Sequence, residues 1–358
     1  MRVTGTVDKH HRLRSIGRRY AEMKAAPSNE LLTSLLRDVS RSFYLTLRVL
    51  PARIRPQIGL AYLLARTTDT IADTELVPLE ERLRALESLR QRIQGRREER
   101  LDFGALARHQ GSVAERVILE RAESSLELLG TLAPNDRELV RTVLETITSG
   151  QELDLRRFAG ASRERISALS YDSDLDDYTY RVAGCVGEFW TKMCRAHLFP
   201  KAKLADVAML RDGVRFGKGL QLVNILRDLP TDLRSGRCYL PAEGLRTCGL
   251  APADLLEPGV EPRLRPFFNR WLDSAEAHLK AGWTYTNALP RGCARVRLAC
   301  AWPLLIGRET ILLLRTGHVL DPEHRIKISR PQVRGIIRRS VLYYPLPGRW
   351  RGLFQSTT

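Results

Sequence analysis

Apolar residues recur at three- and four-residue spacing along most of the chain from about Asn29 onward, and this pattern constrains the fold more than any other feature. It is clearest in four segments: Glu80–Ile93, Ser112–Leu129, Asp136–Thr148 and Leu204–Leu226. The strict alternation of apolar and polar residues that marks a strand is nearly absent. We therefore predict an all-α bundle in which each helix buries one apolar stripe.

The chain of 358 residues divides into three parts by charge and periodicity. We predict a basic leader at 1–28, one helical domain at 29–320 and a basic C-terminal segment at 321–358. No apolar run approaches the roughly 18 residues that a membrane-spanning helix needs. Because the basic start also lacks the apolar stretch of a secretory signal, we expect a cytoplasmic protein.

The formal net charge of +17 limits the kinds of partner. Such a surplus favours polyanions, namely nucleic acid, acidic lipid head groups or phosphorylated small molecules. The charge is concentrated in Met1–Ala25, with seven Lys or Arg against two acidic residues, and in Arg325–Ser340, with six against none. Composition alone does not choose among the three.

The segment Tyr62–Asp73 carries two aspartates on an otherwise apolar helical pattern. Asp69 and Asp73 are four residues apart, so on a helix both project from one face, with Arg66 and Tyr62 one and two turns earlier. Two like charges at this spacing mildly destabilise an isolated helix. The pair therefore indicates a function rather than a fold requirement.

A second segment, Gln221–Asp232, has a similar arrangement. If its helix continues through Pro230, one face carries four polar side chains: Gln221, Asn224, Asp228 and Asp232. The opposite face would turn four apolar side chains to the core: Leu222, Ile225, Leu226 and Leu229. Apolar flanks indicate that both aspartate faces are partly buried, and facing carboxylate pairs would need a cation between them.

Mg²⁺ is the cation that best fits these side chains. It prefers oxygen ligands and is commonly held by one or two carboxylates together with substrate phosphates. Magnesium that bridges a diphosphate makes it a better leaving group. Arg66, Arg227 and Arg237 can donate to further phosphate oxygens.

A rival of another class is a non-catalytic basic protein that binds membrane or nucleic acid, but a scaffold has no reason to make carboxylates converge. We therefore expect no nucleic-acid partner.

Five motifs in order make the chain resemble the squalene/phytoene synthase family over most of Asn29–Ser340. They are the flap segment Val39–Phe43, the aspartate-rich motif Asp69–Asp73, the tyrosine motif Tyr178–Gly184 with Val186–Gly187, the second aspartate-rich motif Gln221–Asp232 and the following stretch Gly236–Pro241. The resemblance implies an all-α isoprenoid synthase fold with a central cavity, in which two isoprenoid diphosphates are condensed head to head.

The resemblance also implies roles for individual residues. Mg²⁺ would be bound by Asp69, Asp73, Asn224, Asp228 and Asp232. The diphosphates would be bound by Ser40, Arg41, Arg66, Gln221, Asn224, Arg227 and Arg237. The residues implied in catalysis or in lining the cavity are Phe43, Tyr62, Arg66, Tyr178 and Tyr180.

The product is suggested by two features that resemble different members of the family. Arg181, before Val182-Ala183-Gly184, is similar to phytoene synthases, whereas squalene synthases have a tyrosine there to which the catalytic base is assigned. The tail Arg325–Val333 is similar to squalene synthases instead, and it implies that Lys327 and Arg330 contact NADPH. We predict squalene formation from two farnesyl diphosphates through a cyclopropyl diphosphate, followed by NADPH-dependent reduction. The alternatives are phytoene from geranylgeranyl diphosphate, or dehydrosqualene, both without reduction.

The basic segment Arg325–Ser340 suggests a peripheral membrane contact at the inner face of the membrane. Together with Trp350 and Phe354 it is predicted to adsorb on anionic lipid, with basic residues attracted to the negative surface. The alternatives are a solvated tail or a segment that folds over the cavity and helps to position NADPH.

Overall fold

The structure is a computed structural model, and it describes residues 35–39, 43–257 and 259–355, without the side chain of Phe43. Residues 35–39 are helical. The helices that follow are α1 (Phe43–Val49), α2 (Arg55–Ala72), α3 (Leu79–Gln94), α4 (Gly104–Arg108), α5 (Val113–Glu120), α6 (Ala122–Thr131), α7 (Pro134–Arg157), α8 (Asp172–Thr179), α9 (Cys185–His197), α10 (Asp206–Arg234), α11 (Ala242–Thr247), α12 (Glu261–Ala288), α13 (Ala294–Thr316), α14 (Arg330–Tyr343) and α15 (Pro347–Gly352). The predicted all-α fold is confirmed.

Short irregular elements connect the helices near the middle of the chain. A π-helix, Tyr180–Gly184, joins α8 to α9, and a 3₁₀-helix, Pro252–Leu256, precedes α12. Two parallel two-residue strands, β1 (Ser167–Ala168) and β2 (Arg237–Cys238), pair with each other. This pairing brings the start of α8 beside the segment that leaves α10.

Helix α10 is the central helix of the bundle and packs against α9, α12 and α13. It continues through Pro230, and the Ser235 N–H still bonds to the Thr231 carbonyl at 3.3 Å. Proline removes one N–H, but this close to the helix end the loss does not stop the helix. As predicted, the core-facing side is buried: Leu222, Ile225, Leu226 and Leu229.

Helices α9 and α10 touch through their backbones. A Cβ atom on Gly187 would lie 1.8 Å from the Gly213 carbonyl oxygen of α10, and one on Gly217 would lie 2.0 Å from the carbonyl oxygen of Ala183 in the π-helix that precedes α9. No side chain fits at either contact, so these glycines permit close helix packing. The contact fixes the helix that carries the second aspartate motif.

The apolar side chains form two cores that meet near the middle of the molecule. The first contains the buried faces of α2, α3, α7 and α9, and the second contains the C-terminal half of α10 with α12 to α15. Phe216 packs against both cores. Because α2 belongs to the first core and the end of α10 to the second, the two aspartate motifs lie where the cores adjoin.

The C-terminal helices pack onto the second core. Trp350 and Phe354 are only 3% and 8% exposed, and their rings stack on Trp283 at centroid distances of 5.3 and 5.7 Å. Trp350 Nε1 also donates to Asn287 Oδ1 at 2.9 Å. The prediction that these two aromatic side chains adsorb on lipid is therefore wrong, because they find apolar partners within the protein. Within the described ranges no helix has the length and hydropathy to cross a membrane.

Candidate active site

The first aspartate motif lies at the C-terminal end of α2. The Asp73 N–H donates to the Asp69 carbonyl at 2.8 Å, so Asp73 still follows the helical path and both carboxylates project from one face, as predicted. Arg66 Nη1 lies 3.7 Å from Asp69 Oδ2, and Arg66 Nη2 donates to Glu115 Oε1 at 2.5 Å. Gln151 of α7 donates to Asp69 Oδ1. The motif is thus bordered by groups from three helices.

The second motif lies at the C-terminal end of α10. Asp228 accepts hydrogen bonds from Arg227 Nη2 at 2.5 Å and from Arg325 Nη2 at 2.6 Å. Although burial raises the pKa of Asp228, the hydrogen bonds and charges of the two arginines outweigh it and hold the pKa below its ordinary value. Asp232 lies one turn later on the same face, because the helix continues past Pro230.

A hydroxyl chain runs between the motifs. Tyr239 OH donates to Asp154 Oδ2 at 2.9 Å, and Tyr178 OH lies 3.5 Å from Tyr239 OH. The rings of Tyr178 and Tyr239 stack at a centroid distance of 4.9 Å. Both tyrosines are buried. The chain ends at Asp154, whose pKa is raised by burial to about 6, with Tyr239 and Arg237 opposing the rise.

Arg237 lies between the two motifs and binds Glu75 Oε1 at 2.7 Å. Burial raises the pKa of Asp73, and the charge of Arg237 opposes this rise. Burial also raises the pKa of Asp232 to about 7; neighbouring Asp228 adds to the shift and Arg237 opposes it. Because one guanidinium acts on both carboxylates, the two motifs face a common space. Next to it is a recess of about 230 Å³ whose lining includes Glu75, Arg82, Asp154, Phe158 and Arg237.

The donor set fits a hard divalent cation that is shared with phosphate oxygens. Burial, followed by the charge of Asp73, raises the pKa of Asp69 to about 6, although 48% of this side chain is exposed. Asp154 Oδ1 is buried without a hydrogen-bond partner in the described part of the chain. Carboxylates held in this way are stabilised by a cation. In the described ranges no three His, Cys, Asp or Glu side chains lie together as a group that could hold a metal ion.

Two aspartates of the second motif are expected to affect stability in opposite directions. The folded-state pKa of Asp232 is raised from 3.8 to about 7, so in metal-free protein its contribution falls as the pH rises through this window. Asp232→Asn should therefore raise the melting temperature at pH 8, by about 1–2 °C per kcal/mol in a protein of 358 residues. The pKa of Asp228 is lowered from its ordinary value of 3.8, so its ionised carboxylate stabilises the folded state at pH values above 3.8. Asp228→Asn should therefore lower the melting temperature at pH 8.

Thermal unfolding of both variants and the wild type at pH 8 and pH 4, in chelator, measures these effects. At pH 4 the gain from Asp232→Asn should shrink, because the wild-type carboxyl is then protonated when folded. Equal shifts of the same sign for the two variants at pH 8 would contradict the electrostatic assignment.

The tyrosine motif forms the π-helix beside α7. A Cβ atom on Gly150 would lie 2.8 Å from the Arg181 Cβ, so α7 approaches the π-helix closely at that glycine. Arg181 Nε donates to Asp177 Oδ2 at 2.9 Å and its Nη1 donates to Ser149 Oγ at 2.9 Å. Arg181 therefore anchors the motif to α7 and α8. Tyr180 is half-buried, and burial followed by the charge of Glu188 raises its pKa.

The other predicted site residues are placed with differing completeness. Ser40 and Arg41, and the side chain of Phe43, lie outside the described residues. Tyr62 packs against the first core on the face that carries Arg66. Gln221 is half-buried and Asn224 exposed, on the same face of α10 as the aspartates. Lys327 and Arg330 are exposed in the segment that follows Arg325, and their contact with NADPH stays a prediction.

Sequence reasoning missed four residues of the site: Gln151, Asp154, Tyr239 and Arg325. Gln151 and Asp154 lie three residues apart on α7, and Gln151 is only 7% exposed. Two polar residues on the buried stripe of an amphipathic helix were a detectable signal. Arg325 gave no such local signal, because its contact with Asp228 spans 97 residues of chain.

The motifs and the geometry agree with comparisons to known proteins. Residues 36–332 match the family model for squalene/phytoene synthase. A bifunctional lycopene cyclase/phytoene synthase of Gibberella fujikuroi is 28% identical over 307 residues, covering 83% of this chain but 50% of that protein, so the chain spans about half of its length. A presqualene diphosphate synthase of Rhodopseudomonas palustris is 30% identical over 250 residues, covering 70% of this chain and 76% of that protein.

The fold is shared with solved structures. A complex of TcSQS with the ligand E5700 superposes with a TM-score of 0.73 at 20% identity, covering 92% of this chain and 96% of that chain. At this identity the superposition shows the fold alone, and the sequence match extends it to the family. The chain belongs to the squalene/phytoene synthase family.

Proposed function

We propose that the protein condenses two prenyl diphosphates head to head through a cyclopropyl diphosphate. The observation that carries this proposal is the approach of both motifs to Arg237, through Asp73 of the first motif and Asp232 of the second, beside the buried ring of Tyr178. Ionisation of a diphosphate next to an apolar chain requires charged groups that stabilise the leaving diphosphate and an apolar wall for the chain. Paired carboxylates, arginines and a buried aromatic ring meet these requirements here.

A divalent metal is part of the proposal, since members of the family bind diphosphates through divalent metal ions. In this chain the residues that would hold Mg²⁺ are Asp69, Asp73, Asn224, Asp228 and Asp232. Bound there, magnesium would neutralise the leaving diphosphate. The raised pKa values of Asp69 and Asp232 support this role, because a cation stabilises their charged forms.

The arginines of the site already bind anionic oxygens. Arg66 binds Glu115, Arg227 and Arg325 bind Asp228, and Arg237 binds Glu75. We infer that these guanidinium groups turn to the diphosphates of the substrates, which offer the same paired oxygens with more charge. Because Arg325 binds Asp228, the basic C-terminal segment begins at the site, and Lys327 lies only two residues after this contact.

The condensation releases one proton when the cyclopropane ring closes. The hydroxyl chain from Tyr178 through Tyr239 to Asp154 leads from the buried wall to a carboxylate whose pKa is about 6. A carboxylate with this pKa accepts a proton more readily than an ordinary aspartate. We therefore propose this chain as the proton route, with Arg181 engaged in structure instead.

The finer proposal is that farnesyl diphosphate is the substrate and that NADPH reduces the intermediate to squalene, at the inner face of the membrane. Phytoene from geranylgeranyl diphosphate is the second candidate, favoured by Arg181 and by the relative from Gibberella fujikuroi. The relative from Rhodopseudomonas palustris favours the cyclopropyl diphosphate of the squalene route.

Product analysis tests both levels of the proposal. Purified protein is incubated with Mg²⁺ and either farnesyl or geranylgeranyl diphosphate, with and without NADPH, and the products are identified by mass spectrometry. We expect squalene only with farnesyl diphosphate and NADPH, and a cyclopropyl diphosphate or dehydrosqualene without NADPH. Phytoene would replace the finer proposal, and no condensation product from either substrate would overturn the function.

A further inference from the structure

We propose that Gln151 is a positioning residue for Asp69, and that its amide holds the first carboxylate of the site in the orientation that binds the metal ion. The inference rests on the proposed function, because it concerns the magnesium site which that function requires. It goes further, because Gln151 lies on α7 and belongs to neither aspartate motif.

Gln151 continues the buried face of α7. Val140, Leu144 and Ile147 precede it at three- and four-residue intervals, and each of them is at most 7% exposed. Gln151 itself is 7% exposed. A buried amide loses its water and is tolerated only where it forms hydrogen bonds, whereas an apolar side chain would extend the face without this cost. The packing of α7 therefore gives no reason for a glutamine at this position.

The amide of Gln151 contacts one oxygen of the Asp69 carboxylate. Its Nε2 donates to Asp69 Oδ1, while Asp69 Oδ2 lies 3.7 Å from Arg66 Nη1. An ionised carboxylate only accepts hydrogen bonds, so the chemistry decides which end of the amide faces it. One contact comes from α7 and the other from α2, and together they restrict the rotation of the carboxylate plane.

The other end of the same amide is orphaned. Gln151 Oε1 is buried and accepts no hydrogen bond from any of the described residues. A buried amide that is only half satisfied lowers stability relative to an apolar side chain of the same shape. Mg²⁺ held by carboxylates keeps several waters, which are hydrogen-bond donors, so an orphaned acceptor beside Asp69 fits a site for a hydrated cation. The site, rather than the fold, explains the glutamine.

The part of α7 that carries Gln151 is fixed on both sides. A Cβ atom on Gly150 would lie 2.8 Å from the Arg181 Cβ, so the backbone of α7 lies against the tyrosine motif at this point. One turn later, Asp154 accepts a hydrogen bond from Tyr239 OH at 2.9 Å. Gln151 thus projects from a segment that is held between two other parts of the site. A residue that orients a metal ligand needs this kind of support.

Gln151→Met is the variant that tests the proposal. Methionine has nearly the length and volume of glutamine, and it removes both polar atoms of the amide. Groups that hold a metal ligand by hydrogen bonds typically contribute about 10–100-fold to metal affinity. We therefore expect the half-maximal Mg²⁺ concentration to rise about tenfold or more. The melting temperature of the metal-free protein should be equal to that of wild type or higher, because a half-satisfied amide is removed.

The first measurement needs no turnover. The melting temperature of the full-length protein is followed as Mg²⁺ is added with inorganic diphosphate, which supplies the phosphate oxygens that complete the coordination. A ligand that binds only the folded state raises this temperature. If wild type shows no rise with Mg²⁺, the metal site and this inference are both overturned. If wild type responds and Gln151→Met responds at the same concentration, the inference alone is overturned and the proposed function stands.

Turnover at varied Mg²⁺ separates positioning from packing. In Gln151→Met the Mg²⁺ concentration at half-maximal turnover should rise by the same factor as in the thermal measurement. At saturating Mg²⁺, kcat should stay within about threefold of wild type, because mass action fills the weakened site. A kcat that stays low at every Mg²⁺ concentration, with an unchanged half-maximal concentration, would contradict the proposal. Gln151→Leu, a second apolar replacement, should give the same result and serves if the methionine variant does not fold.

Thr148→Val is the matched control on the same helix. Thr148 is 0% exposed, and its Oγ1 has no hydrogen-bond partner among the described residues. The change therefore also replaces an orphaned buried polar group with an apolar one of the same shape. Its half-maximal Mg²⁺ concentration should lie within about twofold of wild type, since the expected loss belongs to the hydrogen bond on Asp69. A tenfold rise in this variant as well would show that any change in the α7 core weakens the metal site, and would overturn the role of Gln151.

Discussion

Replacing Asp69 or Asp228 with asparagine is expected to lower turnover by about a thousandfold or more while the helical fold stays intact. Asparagine keeps the size of the side chain but removes the negative charge that would hold Mg²⁺. If the bound cation contributes about 4 kcal/mol to the leaving diphosphate, a loss of this size corresponds to a factor of about a thousand. Single-turnover release of diphosphate at saturating substrate measures the effect.

Two comparisons separate a metal role from a structural one. Asp273→Asn removes a carboxylate that is exposed and pairs with Arg315 on the surface, so it should leave turnover within about twofold of wild type. Raising the Mg²⁺ concentration should partly restore Asp69→Asn, because a weakened site is filled by mass action. Near-normal turnover in either site variant would refute the metal assignment.

The second large effect concerns stability. Trp350→Ala is expected to lower the free energy of unfolding by about 3–5 kcal/mol, because a buried indole is replaced by a cavity. The indole stacks on Trp283 and binds Asn287, and Arg297 lies 5.3 Å above its ring. The melting temperature of a protein of 358 residues should fall by about 4–7 °C.

Leu346→Ala is the matched control, since Leu346 is four residues away and 44% exposed. Its free energy of unfolding should change by less than about 0.5 kcal/mol. Unfolding in urea, followed by tryptophan fluorescence and circular dichroism, measures both variants. If Trp350→Ala were as stable as wild type, the C-terminal helices would not be part of the fold.

Local periodicity made the helices and the faces of both aspartate motifs predictable. Side chains four residues apart share a face of a helix whatever surrounds it. The prediction that Asp69 and Asp73 share one face, and Asp228 and Asp232 another, therefore required only that each segment be helical. The prediction that Asp232 shares the face of Asp228 depended on whether the helix continues through Pro230. The structure shows that it does, because the helical hydrogen bonds resume beyond the proline.

Contacts between distant parts of the chain were not predictable from the same pattern. The pair of Arg325 and Asp228, and that of Tyr239 and Asp154, join segments 97 and 85 residues apart. The prediction that Trp350 adsorbs on lipid was wrong because the sequence does not show that Trp350 is buried against Trp283. An aromatic residue that follows a basic segment is typical of a membrane anchor. The π-helix at Tyr180–Gly184 also lies close to α7 at Gly150, a contact that no short-range pattern predicts.

The backbone contact between Gly187 and Gly213 has a genetic consequence. A methyl group at Gly187 would lie 1.8 Å from the facing carbonyl oxygen, and one at Gly213 would lie 2.9 Å from the Gly187 carbonyl oxygen. A crowding mutation in a protein interior can be relieved by a smaller residue across the contact, because the total volume is then conserved. Here the residue across the contact is already glycine, the smallest that exists. A substitution at Gly187 therefore has no second-site suppressor at Gly213, and revertants of such an allele should restore glycine itself.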